Sequence, residues 1–214
     1  MMSASLLCLV LSTASHGAVV IDRIAVVVGK HVIKTSDIEK DLRLTEFLNR
    51  EKLDLTARAK KKAAERLIDQ EIIRQEIVTG AYRRPTDAEG AAFAKQLEND
   101  RFHGSTAELD SALAKYRLSA AQLREELLWQ LTVLRFIDER FRPGVMVSDD
   151  DVKSYYDGHQ AELRRENPSG FTLEDLQAKI RQTLEGEQIN QNFNEWLEDA
   201  RKRYRIEYRQ EAFE

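Results

Sequence analysis

The sequence VVIDRIAVVVGKHVIKTSDIEKDL, at residues 19–42, predicts a strand hairpin that leads directly into a helix. Apolar residues dominate both halves of the hairpin, and the two-residue turn Gly29-Lys30 lies between them, with glycine supplying the positive φ angle. Ser36 and Glu39 then have the spacing of a capping box, in which each side chain satisfies a free amide at a helix start. We therefore expect two short strands followed by a helix that Ser36 caps.

The middle of the chain is a series of helix signals with little room for a sheet. Helical spacing of apolar residues predicts a helix over residues 57–79 that stops at Gly80. Thr86 and Ser105 start two shorter helices, which end near Phe102 and Tyr116. A long helix follows and stops at a Pro-Gly pair. Its predicted apolar stripe consists of Leu123, Leu127, Leu131, Leu134, Ile137 and Phe141.

The last third of the chain is expected to hold two further helices and a strand. Ser148 starts a helix that runs to about Arg165, and Thr172 caps the last long helix, over residues 172–204. Residues 205–209 alternate polar and apolar side chains like a short strand. The predicted fold class is therefore mostly α, with a small N-terminal β-hairpin.

Residues 1–18 have the features of a secretory signal peptide. They contain no Asp, Glu, Lys or Arg, and residues 6–11 form an apolar run that is too short to span a bilayer. Small residues offer a cleavage site after Gly17 or Ala18. The only cysteine, Cys8, falls inside this segment, which fits an oxidising compartment for the cleaved chain. Because no positive charge precedes the apolar run, a buried first strand or helix is an alternative, as is lipid attachment at Cys8.

The remaining chain, residues 19–214, carries all 33 basic and 37 acidic residues. A net charge of −4, with 33% charged residues, gives no reason to expect nucleic acid as the partner. The four histidines are far apart, and the chain has no Gly-rich phosphate loop or nucleophile elbow. Asp149, Asp150 and Asp151 lack the glycine and the later glutamate of a calcium loop, so helix capping explains them. We expect no catalytic residue, no metal and no cofactor.

Four segments of the chain, in this order, resemble the SurA-like periplasmic chaperones and their parvulin-linked relatives. They are residues 19–42, residues 65–76 (ERLIDQEIIRQE), residues 147–156 (VSDDDVKSYY), and residues 193–197 (FNEWL) with the strand IEY at residues 206–208. The resemblance covers nearly all of the chain after residue 18. It implies a periplasmic holdase for unfolded envelope or outer-membrane polypeptides, with a role in outer-membrane biogenesis. It also implies that the final helix folds back on the N-terminal helices and that the last strand joins the hairpin.

One departure from the family pattern bears on catalysis. Relatives with parvulin modules carry them between the Tyr-Tyr helix and the last helix, whereas here the stretch from His159 to Gly170 is close to an ordinary loop length. The resemblance therefore implies the SurA N-terminal domain alone, without isomerase activity. Two alternatives stay open: a non-catalytic or degenerate subunit of a peptidyl-prolyl isomerase system, and a helical adaptor for one folded partner.

A chaperone of this kind needs an apolar and adaptable groove, because a tightly complementary site would prevent release of the client. Apolar side chains beyond those needed for one stripe are the candidates for such a groove. The client-binding candidates are Trp129, Val133 and Phe136 of the long helix and Phe193 and Trp196 of the last helix. The alternative is that they fill the core between these two helices. The expected partners are unfolded outer-membrane or secreted polypeptides, with no nucleic acid and no stable membrane insertion.

Overall fold

The computed structural model describes residues 22–166 and 170–213, so the predicted signal peptide and its cleavage site lie outside the described residues. The fold is mostly α with a small sheet, which confirms the predicted fold class. The elements in chain order are β1 Ile24–Val28, β2 His31–Lys34, α1 Thr35–Asn49, α2 Ala57–Thr79, α3 Asp87–Phe102, α4 Thr106–Lys115, α5 Ala120–Phe141, α6 Asp149–Gly158, α7 Gln160–Glu166, α8 Leu173–Lys202 and β3 Ile206–Tyr208.

The N-terminal hairpin forms the centre and one edge of the sheet. β1 pairs antiparallel with β2, and Gly29 in their turn has a φ of 59°, a value that glycine adopts without steric cost. β3 pairs antiparallel with the other side of β1, with Val26 opposite Tyr208 and Val28 opposite Ile206. The strand order is β2-β1-β3, so the C-terminal strand joins the hairpin as expected.

The start of α1 differs from the prediction, because Ser36 and Glu39 do not form the capping box. Lys34 is the capping residue, and its backbone N–H donates to Asp37 Oδ2 at 2.9 Å. The hydroxyl of Ser36 donates instead to Asp22 Oδ2 at 2.5 Å, which ties the first turn of the helix to the chain before β1. Since β2 continues directly into the helix, the cap lies two residues earlier than the sequence spacing suggests.

Most other helix ends lie where the sequence predicts them. α2 spans the predicted residues 57–79, and α3 begins with a complete capping box between Thr86 and Glu89. α8 begins in the same way with Thr172 and Asp175. These ends are local features, since each capping bond joins residues that are three apart in the chain.

The single helix predicted from Ser148 to Arg165 is wrong, because α6 and α7 are separate. His159 interrupts the helix with a φ of −113° and a ψ of 19°, and its backbone N–H donates to Tyr155 O at 3.0 Å. Its ring also stacks on the Tyr155 ring, with centroids 3.9 Å apart. After this break, Leu163 of α7 is buried in the cluster that contains Val152 of α6.

The buried face of α5 changes side along the helix. Leu123 and Leu127 in its first half pack with α3 and α4, whereas Phe136 in its second half packs with α2 and α8. Phe136 follows Leu127 by nine residues, about two and a half turns, so the two side chains lie on opposite sides. Leu134 is on the side of Leu127 and is 59% exposed, so its place in the predicted stripe is wrong.

α8 contributes to three of the four clusters of buried apolar side chains found in the described chain. Leu176 and Ile180 near its start pack with α6 and α7. Ile189 in its middle packs with α2 and α5, and Ala200 near its end packs with the sheet, α1 and α2. The last helix thus lies against the N-terminal helices over much of its length.

Polar contacts also hold the end of α8 and the strand β3 on α2. Arg201 of α8 donates hydrogen bonds to Asp69 and Glu65 of α2. Tyr208 of β3 donates a 2.6 Å hydrogen bond to Glu65 Oε1. Burial, together with this bond to a carboxylate, raises the pKa of Tyr208 to about 12.

Candidate functional site

A groove of about 590 Å³ opens between the N-terminal elements and α5. β2, α1, the second half of α2, the segment that follows α2, and the first half of α5 line it. Its volume lies in the range of pockets that hold small ligands or short peptide segments. Because the lining comes from three separate stretches of the chain, residues 32–44, 67–85 and 122–132, only the folded protein assembles this surface.

Large apolar side chains are exposed at the groove. Val78 of α2 is 60% exposed and Val32 of β2 is 47% exposed, and both line it. Leu67, Leu128 and Pro85 also contribute to the lining. Exposed apolar surface inside a concavity favours an apolar ligand, because a bound segment would remove this surface from water.

Trp129 of α5 lies in the wall of the groove next to a cation. The guanidinium carbon of Arg74 on α2 is 4.3 Å from the centre of the Trp129 ring. Arg74 Nε lies 3.7 Å from Glu71 Oε2, and Glu71 Oε1 lies 3.2 Å from His31 Nδ1. A row of polar contacts therefore runs from the hairpin over α2 to the tryptophan of α5.

Carboxylates outnumber basic side chains in the lining. The carboxylates are Asp37, Asp41, Glu71, Glu125 and Glu126, and the basic side chains are Lys40, Arg74 and Arg84. Most of these carboxylates have a partner. Glu125 Oε2 lies 3.4 Å from Lys40 Nζ, and Asp41 accepts a hydrogen bond from Arg66, which lies outside the lining. The groove as a whole thus carries an excess of negative charge.

Two of these carboxylates are shielded from water, Asp41 being buried and Glu126 partly buried. Burial raises the pKa of Asp41 on α1, although Arg66 acts in the opposite direction. Burial also raises the pKa of Glu126 on α5, and the negative charge of Asp41 adds to this effect. Gln130 Nε2 donates to Glu126 Oε1 at 2.9 Å. Within the described part of the chain, no basic side chain forms an ion pair with Glu126 at 4.0 Å or less.

Phe136, one of the five predicted client-binding residues, belongs to the core. It is 1% exposed. Its ring is surrounded by those of Tyr82, Trp196 and Phe141, whose centroids lie 4.9, 5.4 and 5.9 Å away. The structure corrects the assignment of Phe136 to a client surface, since a side chain with this burial cannot touch a client.

Val133, Phe193 and Trp196 are partly buried and pack on the same aromatic cluster. The guanidinium carbon of Arg140 lies 5.2 Å from the centre of the Trp196 ring. Of the five predicted residues, Trp129 alone lines the groove. The space between α8 and the N-terminal helices is filled by packed side chains, so the groove lies elsewhere than the sequence predicts.

Sequence reasoning missed the charged residues of the groove, although a signal for them exists. Asp41 occurs between Ile38 and Leu42 on the apolar face of α1, and Glu126 occupies the matching position before Leu127 in α5. Charged residues seldom lie inside an apolar helical stripe without a structural or functional cause. These two positions indicate where the helices stop packing and the groove begins.

The described residues provide neither a metal site nor a membrane-spanning helix. In residues 22–166 and 170–213, no group of three or more His, Cys, Asp or Glu side chains is placed to hold a metal ion. None of the helices in these ranges combines the length and the apolar character needed to cross a membrane. The three consecutive aspartates lie at the start of α6, where Asp151 forms a capping box with Ser148 and Asp149 pairs with Arg181.

Comparison with known proteins gives no relative for this chain: no family model matches it, and no curated protein does. The resemblance to SurA-like chaperones therefore rests on the order of the sequence motifs.

Proposed function

We propose that this protein is a non-catalytic chaperone of the holdase type, which binds unfolded segments of envelope or outer-membrane polypeptides in the groove. The observation that carries the proposal is a groove of about 590 Å³ in which the large apolar side chains Val32 and Val78 are exposed beside charged residues and Trp129. The order of the four family-like sequence segments supports the same function.

The composition of the groove suits clients of varied sequence. Apolar contact is non-directional, so Val78 and Val32 can cover many different side chains of a bound segment. Loose, exchangeable binding of this type allows one surface to serve many clients.

The proposal includes export to the periplasm. Residues 1–18 supply an uncharged apolar leader, and the chain after it has no cysteine, which fits an oxidising compartment. The N-terminus of the protein recovered from the cell envelope is expected near Ala18 or Val19. Recovery of an intact Met1 in the cytoplasmic fraction would contradict export and the proposed role.

Competition binding tests the proposal. A fluorescent unfolded peptide with several aromatic and aliphatic residues is titrated with the protein, and its anisotropy is recorded. We expect saturable binding, which unrelated unfolded peptides displace and folded proteins do not. If a single folded protein were bound and no unfolded peptide, the chain would be an adaptor and the proposal would be wrong.

The same preparation tests the non-catalytic part of the proposal. Uncatalysed proline isomerisation takes tens to hundreds of seconds, so acceleration is easily followed. We expect the rate to stay unchanged as the protein concentration rises. Acceleration in proportion to protein concentration would show that the chain carries an isomerase site.

A further inference from the structure

Among the carboxylates of the groove, Asp37 and Glu126 form no ion pair in the described chain, and Asp37 caps α1 by accepting the backbone N–H of Lys34. Asp41 has Arg66, Glu125 has Lys40, and Glu71 has both His31 and Arg74 as partners. Within the described residues, Glu126 accepts a hydrogen bond from Gln130 and forms no ion pair. A partly buried carboxylate without an ion pair is costly to keep in a folded protein, so its position needs an explanation.

The surroundings of Glu126 suit a cation from outside the chain. The negative charge of Asp41 acts on Glu126, and Lys40, whose positive charge opposes this effect, forms its ion pair with Glu125. A positive group placed between Asp41 and Glu126 would be attracted by both, and the repulsion between them would be offset. The groove therefore has local charge complementarity to a cationic ligand.

The groove already shows how it accommodates a guanidinium. Arg74 lies with its guanidinium carbon 4.3 Å from the centre of the Trp129 ring and with Nε 3.7 Å from Glu71. A planar guanidinium can stack on an aromatic ring and bind a carboxylate at the same time, which an ammonium does less well. An arginine of a client would make the same kind of contact with Glu126, which precedes Trp129 by three residues on α5.

We propose that the groove selects unfolded segments in which an arginine is flanked by apolar residues, and that Glu126 is the residue that recognises the arginine. The apolar flanks cover Val32 and Val78, and the guanidinium binds beside Glu126. Segments with an acidic residue at the same position are rejected, because they add a negative charge to a groove that already has an excess. This inference rests on the proposed function and names its preferred client.

Three labelled peptides with identical apolar flanks test the inference. Their central residue is arginine, its neutral isostere citrulline, or glutamate, and affinity is measured by anisotropy at low ionic strength. We expect the wild-type protein to bind the arginine peptide about tenfold more tightly than the citrulline peptide, as one charge-assisted hydrogen bond allows. Binding of the glutamate peptide should be weaker than that of the citrulline peptide.

Two variants identify the residue that recognises the charge. Glu126→Gln keeps the size of the side chain and should bind the arginine and citrulline peptides equally, at the wild-type affinity for citrulline. Asp138→Asn removes one negative charge from the same helix outside the groove, where Asp138 pairs with Arg142, and should retain the tenfold preference.

The possible failures are distinguishable. Equal binding of the arginine and citrulline peptides by the wild type, or a preference that survives in Glu126→Gln, overturns the inference and leaves the proposed function intact. If Glu126→Gln bound neither peptide and its melting temperature had not fallen, Glu126 would be a residue that shapes the groove, and this result would also overturn the inference. If the wild type binds none of the peptides, the proposed function itself fails.

Discussion

The guanidinium carbon of Arg74 on α2 lies 4.3 Å from the centre of the Trp129 ring on α5. This contact joins two of the helices that line the groove, although the two residues are far apart in the sequence. A cation in this position contributes about 0.5–1 kcal/mol at a partly exposed site. Trp129 therefore has both a structural partner and a place in the wall of the proposed client site.

Replacing Trp129 should affect client binding more than stability. Trp129→Ala removes apolar surface from the groove, and we expect the affinity for unfolded aromatic-rich peptides to fall about tenfold. Phe136→Ala should instead cost about 3–5 kcal/mol of unfolding free energy, because Phe136 is 1% exposed and leaves a cavity. Peptide affinity and chemical denaturation are measured on the same preparations.

Leu134→Ala is the matched control for this pair, because Leu134 lies on the same helix and is 59% exposed. Its affinity and stability should both stay close to wild type. If Trp129→Ala lost stability without any selective loss of affinity, Trp129 would be a core residue and the proposed site would be wrong.

Gly90 of α3 allows a test of the packing that fixes the first half of α5. A Cβ atom at Gly90 would lie 2.8 Å from Leu128 Cδ1 and 3.4 Å from Leu128 Cβ. Gly90→Val should therefore lower the free energy of unfolding by about 2 kcal/mol through overpacking. In α8, a Cβ atom at Gly186 would have no neighbouring atom within 4 Å. Gly186→Val should therefore change the free energy of unfolding by less than about 0.5 kcal/mol. Equal effects of the two substitutions in urea denaturation would contradict the close approach of α3 and α5.

Glu126 should make the protein less stable at neutral pH than a neutral side chain would. Burial raises its pKa in the folded state above that of an exposed glutamate, so the folded state binds the proton more tightly than the unfolded chain. The protonated Glu126 carboxyl therefore makes its full contribution to the free energy of unfolding below pH 4.5. This contribution is lost as the pH rises through the pKa of the folded state. The other charged groups that act on Glu126 are Asp41 and Lys40 of α1 and Glu125 of α5.

Glu126→Gln stays neutral throughout this range, so the variant should melt at a higher temperature than wild type near neutral pH. We expect a difference on the order of 2 °C, which closes as the pH falls to about 4. Scanning calorimetry at a series of pH values measures it. A melting temperature of Glu126→Gln that equals or falls below wild type at neutral pH would show that the carboxylate is compensated by a contact missing from this account.

Arg201 tests how the last helix is held on the N-terminal part. Arg201→Met removes the hydrogen bonds to Asp69 and Glu65, and burial already raises the pKa of Asp69. We expect a loss of about 1–2 kcal/mol in the free energy of unfolding. Lys202→Met, at the next position, breaks an exposed pair with Asp199 and should cost less than about 0.5 kcal/mol. Indistinguishable denaturation curves for the two variants would mean that Arg201 does not anchor α8.

Local sequence signals account for the parts of the fold that were predicted correctly. The hairpin turn at Gly29, the end of α2 before Gly80 and the capping boxes of α3 and α8 each depend on residues within a few positions of one another. Glycine at positive φ and a capping side chain act without help from distant parts of the chain.

The remaining features depend on contacts between distant segments. Phe136 is buried because α2 and α8 cover the second half of α5, and the extra apolar side chains of α5 do not by themselves show whether they face the core or a client. The groove is likewise formed by β2, α1, α2 and α5 together. Asp41 and Glu126 interrupt apolar stripes, but the repulsion between their charges requires the folded arrangement of α1 and α5.

Site-specific photo-crosslinking tests the central claim, that the groove holds unfolded polypeptide. A photoreactive side chain is placed at Val78, which lines the groove, or at Met146, which is 86% exposed and does not line it. Each variant is irradiated with an unfolded outer-membrane polypeptide, with and without excess unlabelled client. We predict crosslinks from Val78 that the unlabelled client suppresses, and none from Met146. Crosslinks of equal yield from both positions, or none from Val78, would contradict the account.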